Sequence, residues 1–320
     1  MYETEIRNKE FENIEKWSNE LILKRMLESQ RNAFDAVENN LKTIETAVSL
    51  AVKKLKNYNS KIVYVGAGTS GRIGILDGVE LIPTFGWPKN RVNFCFSGID
   101  VKKASEGSED NIKLALKHFK EVKITEHDVV LFLAASGSTI YTNTILEKSK
   151  SLGALTVSFS NNKKSKLLQS SDVSIYLNTG HEFLAGSTRL SAGTSQKIAL
   201  NLFSTCLMIR LNKVYKGFMV DMKSTNAKLR GRAEKMLVEI TSCNPSRAHE
   251  TLLKTDYNIK LSIMMINNFS KKKALEALEK TEGNLKLAVL LISGAETVST
   301  AKKLINKEGQ NLRSALKHLS

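Results

Sequence analysis

The sequence predicts an α/β fold: a doubly wound parallel-sheet domain with an N-terminal helical arm and a small C-terminal all-α domain. Three observations carry that expectation. Residues 62–82, IVYVGAGTSGRIGILDGVELI, read as a β-branched strand, a glycine-rich turn and a helix. VVLFL at 129–133 is a nearly continuous apolar run, as expected for a strand buried on both faces. Beyond about residue 222 strand signals stop and a repeat begins, centred on Asn258, Asn284 and Asn311, 26 and 27 residues apart. The expected boundaries are an arm over 1–58, a central domain over 59–222 and a helical repeat domain over 223–320.

Residues 9–58 are helical in pattern. Leu41, Ile44, Val48, Val52 and Leu55 form one apolar stripe, which must pack on its own domain or on a second subunit. After the first strand, Gly66, Gly68 and Gly71 supply a turn without Cβ atoms, so an anion can approach the backbone. Thr69 and Ser70 add hydroxyls, and the following helix points its positive end at the turn. That combination is a phosphate cradle. VNFCF (92–96) is the second strand, followed by a helix from about Asp110 with Ile112, Leu116 and Phe119 to one side. A helix near 142–152 ends at Gly153 as its C-cap. LTVSF (155–159) and VSIYL (173–177) precede a long apolar helix over about 193–211. In the repeat, KTDYNIKLSIMM, KTEGNLKLAVLL and NKEGQNLRSALKHL align, each after a short helical stretch. They predict three stacked helix–turn–helix units that serve packing or dimer stabilisation.

The chain has 320 residues, 42% of them hydrophobic, and three cysteines, Cys95, Cys206 and Cys243. The cysteines form no CxxC pair and no even framework, so a reducing cytoplasm is the expected setting. No run approaches the roughly 20 apolar residues that span a bilayer, and MYETEIRNKEFENIEKW lacks a signal peptide's apolar core. The net charge of +16 is spread along the chain, with short clusters such as Lys271–Lys273 and few interleaved aromatics. Such a surface is solvated and steers anionic metabolites; it argues against nucleic acid or membrane as a partner.

GAGTSG fits the dinucleotide fingerprint, whose confirming acidic residue should lie about 20 residues on. Asp100 follows the second strand but sits 29 residues beyond Gly71, a loose match. A second strand-end turn, AASGST (134–139), again sets hydroxyls, Ser136, Ser138 and Thr139, beside a glycine. Two such turns favour a lone phosphate over a dinucleotide. A third polar loop, HEFLAGSTRLSAGTSQK (181–197), places Ser187, Thr188, Arg189, Ser191 and Thr194 before the long helix. It reads equally as ligand contact and as helix capping. Glu80 shares the apolar helix face of Leu76 and Ile73, so it is expected to be paired or desolvated, and desolvation suits a general acid. Glu109, in EGSED (106–110), either complements a helix dipole or takes part in catalysis. The histidines show no metal-ligand spacing, and no metal is expected.

VYVGAGTSGRIGILDGVELIPTFG, EGSEDN, the AASGST turn, GSTRLSAGTSQK and MVDMKSTNAKL together resemble the N-acetylmuramic acid 6-phosphate etherases. These belong to the sugar isomerase (SIS) domain superfamily, which includes the glucokinase regulatory protein. The similarity runs from TEIRN at residue 4 into the C-terminal repeats. The resemblance implies cleavage of the D-lactyl ether to N-acetylglucosamine 6-phosphate and D-lactate, by elimination and hydration of the open-chain sugar, in amino sugar and cell-wall recycling. It implies a phosphorylated amino sugar as ligand, no cofactor, and a homodimer with its active site near the subunit interface. Glu80 matches the family's general acid and Glu109 the group that handles the C2 proton. Gly68, Thr69, Ser70, Ser136, Ser138, Thr139, Ser187 and Thr188 form the expected substrate and phosphate set. The chain departs from the family pattern at Ser138, Ile140, Leu190 and Ser191, and the RNP-like segment reads Arg7–Asn8–Lys9. The altered loops leave a second function open, a sugar-phosphate sensor without turnover; a sugar-phosphate isomerase is a third option. A transcription regulator is disfavoured, because no recognition helix is legible.

Overall fold

The computed structural model describes residues 2–57, 59–98 and 107–319. The chain divides into two compact units: Met1–Leu81 with Trp87–Leu207, and Ile82–Gly86 with Met208–Ser320. In the first, three helices, α1 (Asn19–Ser29), α2 (Arg31–Glu38) and α3 (Leu41–Leu55), lead into β1 (Ile62–Ala67) and α4 (Gly68–Phe85). Then follow β2 (Val92–Ser97), α5 (Ile112–Val122), β3 (Val129–Leu133), α6 (Ile140–Ser151), β4 (Leu155–Ser160), α7 (Lys166–Ser170), β5 (Val173–Tyr176) and α8 (Ser191–Arg210).

The sheet is parallel, in the order β2-β1-β3-β4-β5. β1, β3 and β4 are buried along their whole length, which is why their sequences are continuous apolar runs rather than alternating ones. The winding reverses between β1 and β3, whose register pairs Gly66 with Leu133. Ligands of such sheets bind at the carboxyl ends of the strands where the order reverses. Those are the two strand ends that carry the hydroxyl-rich turns.

Two helices bury faces slightly different from those expected. In α3 the buried stripe is Ile44, Ala47, Val48, Ala51 and Leu55, while Leu41 is exposed. In α5, Ala115 is fully buried, Leu114, Phe119 and Val122 pack against the same core cluster, and Ile112 is exposed. The reason is shared: alanines let a helix approach closely, whereas the periodicity of the large side chains points elsewhere. α3 packs on strands of its own unit, while α1 buries no residue and leaves Leu23 and Leu27 exposed.

The second unit contains α9 (Ala227–Thr241), then helix pairs α10 (Pro245–Lys254) and α11 (Ile259–Ile266), α12 (Lys271–Lys280) and α13 (Leu285–Ile292), α14 (Val298–Lys307) and α15 (Leu312–Leu316). Asn258, Asn284 and Asn311 are the N-caps of the second helix in each pair, accepting from the amides of Leu261, Leu287 and Ser314. Two left-handed residues precede each cap, Asp256–Tyr257, Glu282–Gly283 and Gly309–Gln310, so the 26- to 27-residue repeat is one turn used three times.

Candidate functional site

β1 runs directly into α4, and the glycines at this junction divide their work. A Cβ on Gly71 would lie 2.8 Å from the Gly66 carbonyl carbon and 2.7 Å from the Phe96 ring; one on Gly66 would lie 2.9 Å from the Gly71 Cα. Two of the three glycines expected to open a turn for an anion instead let helix and strand touch. Gly68 alone is left-handed, at φ 51°, and a Cβ there would sit 2.9 Å from Glu109 Oε1. The missing side chain is what allows Glu109 to lean over the first turn of α4.

Glu109 lies in a short 3-10 turn, Ser108–Asp110. Asn111 caps α5 by accepting from the Leu114 amide at 2.9 Å, so Glu109 is not needed for that task. The segment is tied to the end of β2, where the buried Ser97 hydroxyl donates to Ser108 Oγ at 3.1 Å. Burial pushes the Glu109 carboxyl above the usual range, the neighbouring Asp110 adds to this, and the Arg72 guanidinium opposes it. Arg72, whose guanidinium lies 5.7 Å from the Phe96 ring centre, was not anticipated from sequence. The available signal was a cation in the first helical turn, where the dipole disfavours one.

The turn after β3 makes the second wall. Ser138 donates to Ser136 Oγ from its amide at 3.3 Å and from its hydroxyl at 3.2 Å. Thr139 occupies the N-cap position of α6 but makes no side-chain cap hydrogen bond, which leaves that helix start suited to an anion. The third loop behaves differently. Glu182, buried at 1% exposure, accepts from the amides of Ser191 at 2.8 Å and Ala192 at 2.9 Å, so a carboxylate already fills the start of α8. Burial raises the Glu182 carboxyl, and those amides hold it down. Its capping role was missed because the residue lies nine positions before the helix it serves. Thr188 nevertheless reaches the cradle: its carbonyl accepts from the Gly193 amide at 2.9 Å, and a Cβ on Gly193 would lie 3.6 Å from Thr69 Cγ2.

Gly68, Thr69, Glu109 and Thr188 therefore converge, with Ser136, Ser138 and Thr139 beside them on the paired strand end and Ser187 next to Thr188 in the chain. Ser70 is buried in the first turn of α4. Glu80 does not join them. It lies twelve residues along α4 from Gly68, about 18 Å at the usual helical rise. Nor is it paired or desolvated as expected: Glu80 is exposed, with Leu76 at 55% and Val79 at 41%, and it has no ion-pair partner among the described residues. The sheet-facing side of α4 is instead lined by Gly74 and Gly78, which pack on Tyr64, Leu133 and Phe94, and by buried Asp77 and Leu81. Asp77 accepts from Tyr64 Oη at 2.8 Å, Asn201 Nδ2 at 2.7 Å and Ser204 Oγ at 2.9 Å.

Asp100 lies outside the described residues. Among the described residues no three His, Cys, Asp or Glu side chains are grouped as a metal would require.

Residues 43–149 match the glucokinase regulatory protein N-terminal SIS domain, 115–205 the SIS domain, and 216–316 the C-terminal lid domain of glucokinase regulatory protein. A protein of Bacillus mycoides (strain KBAB4), "N-acetylmuramic acid 6-phosphate etherase", is 42% identical over 265 residues, covering 82% of this chain and 90% of its own. Proteins of the same name from Oenococcus oeni (strain ATCC BAA-331 / PSU-1) and Oceanobacillus iheyensis are each 40% identical, covering 84% and 82% of this chain and 91% and 90% of theirs. Identity of that degree over more than four-fifths of the chain shows its family: the chain belongs to the N-acetylmuramic acid 6-phosphate etherase family.

Proposed function

We propose that this chain is a lyase-type etherase that converts N-acetylmuramic acid 6-phosphate to N-acetylglucosamine 6-phosphate and D-lactate, in amino sugar and cell-wall recycling. The observation that carries the reading is Glu109, a carboxylate with a raised pKa whose Oε1 leans against the left-handed Gly68 in the turn that would hold the phosphate. The 6-phosphate sits among Thr69, Ser136, Ser138, Thr139, Ser187 and Thr188 and at the start of α6. In the open-chain sugar the C2 proton is adjacent to the C1 aldehyde and is acidic. Glu109 removes it, the C3–O bond to the lactyl group breaks, and Glu80 gives a proton to the departing oxygen. Water then adds at C3 of the unsaturated aldehyde, losing a proton to Glu80, while Glu109 returns its proton to C2. The sum is one water consumed and one lactate released.

Glu80 meets this site from a second copy of the chain. Within one chain the two glutamates are held apart by the length of α4, and the exposed Leu76 and Val79 beside Glu80 suit a subunit contact. The assembly is a homodimer in which acid and base come from different copies. A sensor that binds without turnover is the second reading, favoured by Ser138, Ile140, Leu190 and Ser191 in the phosphate loops. Incubating the protein with N-acetylmuramic acid 6-phosphate and assaying D-lactate separates the two. Release that disappears in Glu80→Ala and in Glu109→Ala supports the etherase; tight binding of the sugar phosphate with no lactate supports the sensor.

A further inference from the structure

We infer that the segment Glu3–Glu5 and the buried amide of Asn162 form a clamp that sets the spacing of two anion-binding loops, which makes Thr4 and Asn162 positioning residues for the sugar phosphate. The functional readout rests on the substrate class proposed above; the clamp itself does not. TEIRN has no task in the proposed chemistry, yet it is tied down from both sides. Thr4 is 1% exposed and Asn162, just after β4, is 3% exposed. Both polar atoms of the Asn162 amide are used. Its Oδ1 accepts from the Glu3 amide at 2.6 Å, and its Nδ2 donates to Thr4 Oγ1 at 3.3 Å and to the Ala135 carbonyl at 2.8 Å.

Ala135 immediately precedes Ser136. From the other side, the Thr4 carbonyl accepts from the Gly186 amide at 2.9 Å, immediately before Ser187 and Thr188. Gly186 is left-handed, at φ 78°, and a Cβ there would lie 2.7 Å from Glu5 Oε2. Three further ties hold the segment down. Tyr176 Oη donates to the Glu3 carboxylate. The Asn8 amide bonds the His181 ring at 3.1 Å, and Phe11 packs 4.6 Å from the Phe183 ring. One short stretch of chain thus fastens the residue before Ser136 to the residue before Ser187.

The test compares Asn162→Asp, which keeps the shape and loses both donors, with Thr4→Val, which loses only the hydroxyl, and Thr4→Ser, which retains it. Three quantities are read. They are amide hydrogen exchange at 134–139 and 186–188, calorimetric affinity for N-acetylglucosamine 6-phosphate, and KM and kcat for lactate release. Asn162→Asp is expected to speed exchange in both loops. It should also weaken affinity and raise KM roughly tenfold with kcat within about twofold. Thr4→Val should do the same to a lesser degree, and Thr4→Ser should restore wild-type values. Unchanged exchange overturns the clamp. Faster exchange with wild-type affinity and KM overturns the positioning role and leaves a strap. If Asn162→Asp does not fold, Thr4→Val decides. If the wild type binds the sugar phosphate but releases no lactate, the proposed reaction fails, while exchange and affinity still decide the clamp.

Discussion

Glu109 takes its character from its neighbours: burial and Asp110 push its pKa up, and Arg72 pulls it down. In the proposed role of base Glu109 works in its ionised form, so activity should be lost as pH falls through the folded-state value. Because that value is raised, the acid limb of kcat/KM should lie above the usual carboxylate range. Arg72→Gln removes the one opposing influence and should move the limb to higher pH; a limb that stays put would detach Arg72 from the base. Linkage has the opposite sense for stability: a raised carboxylate pKa means the folded state holds the extra proton, so its contribution falls as pH rises between the unfolded and folded values. Gly68 gives a second test at this scale. Gly68→Ala forces a Cβ into a left-handed position and against the Glu109 carboxylate. Roughly tenfold or greater loss of kcat is expected, with a stability loss of about 1–2 kcal/mol by thermal unfolding. Wild-type turnover in that variant would show that Glu109 need not approach the turn.

α4 is the element that organises the first unit, and Asp77 sets its register. The carboxylate joins β1 through Tyr64 and α8 through Asn201 and Ser204. Its pKa is raised, chiefly by burial, and the three donors hold it down. Asp77→Ala strands these donors in a buried site and should cost roughly 3 kcal/mol, whereas Asp77→Asn keeps most contacts and should cost less. Thermal unfolding of both variants is the check, and equal losses would mean that the acceptor set does not matter. What sequence could say about such elements follows from range. Strands were legible because burial on both faces leaves continuous apolar runs, and the Asn-capped repeat because an N-cap acts within three residues. The side of α4 that meets the sheet was not legible: its seam is glycine and aspartate, and the large apolar residues that mark a buried stripe elsewhere lie on its exposed side. The two hydroxyl-rich turns do follow β1 and β3 as their apolar runs indicate, but Glu109 depends on a left-handed glycine 41 positions earlier, and no local pattern records that.

For the whole molecule, the exposed apolar side chains and the separation of the two glutamates bear on one question. Leu76 and Val79 on α4 and Leu202 on α8 are 41–55% exposed in a single chain. Closed two-fold assembly is the commonest way to cover such surfaces, and it delivers the same residue of each copy to the other's site. A homodimer with divided catalytic groups makes a quantitative prediction. Glu80→Ala and Glu109→Ala are each inactive alone, because every site lacks one group. When the two variants are mixed with subunit exchange, half of the dimers are mixed, and each mixed dimer holds one site with both glutamates and one with neither. Lactate release should therefore return to about a quarter of the wild-type rate. The double variant Glu80→Ala/Glu109→Ala, mixed with either single variant, should restore none, since no pairing then assembles an intact site. Sites contained within one chain would give no recovery in any mixture, and Glu80 would then have to reach Glu109 by a rearrangement of α4.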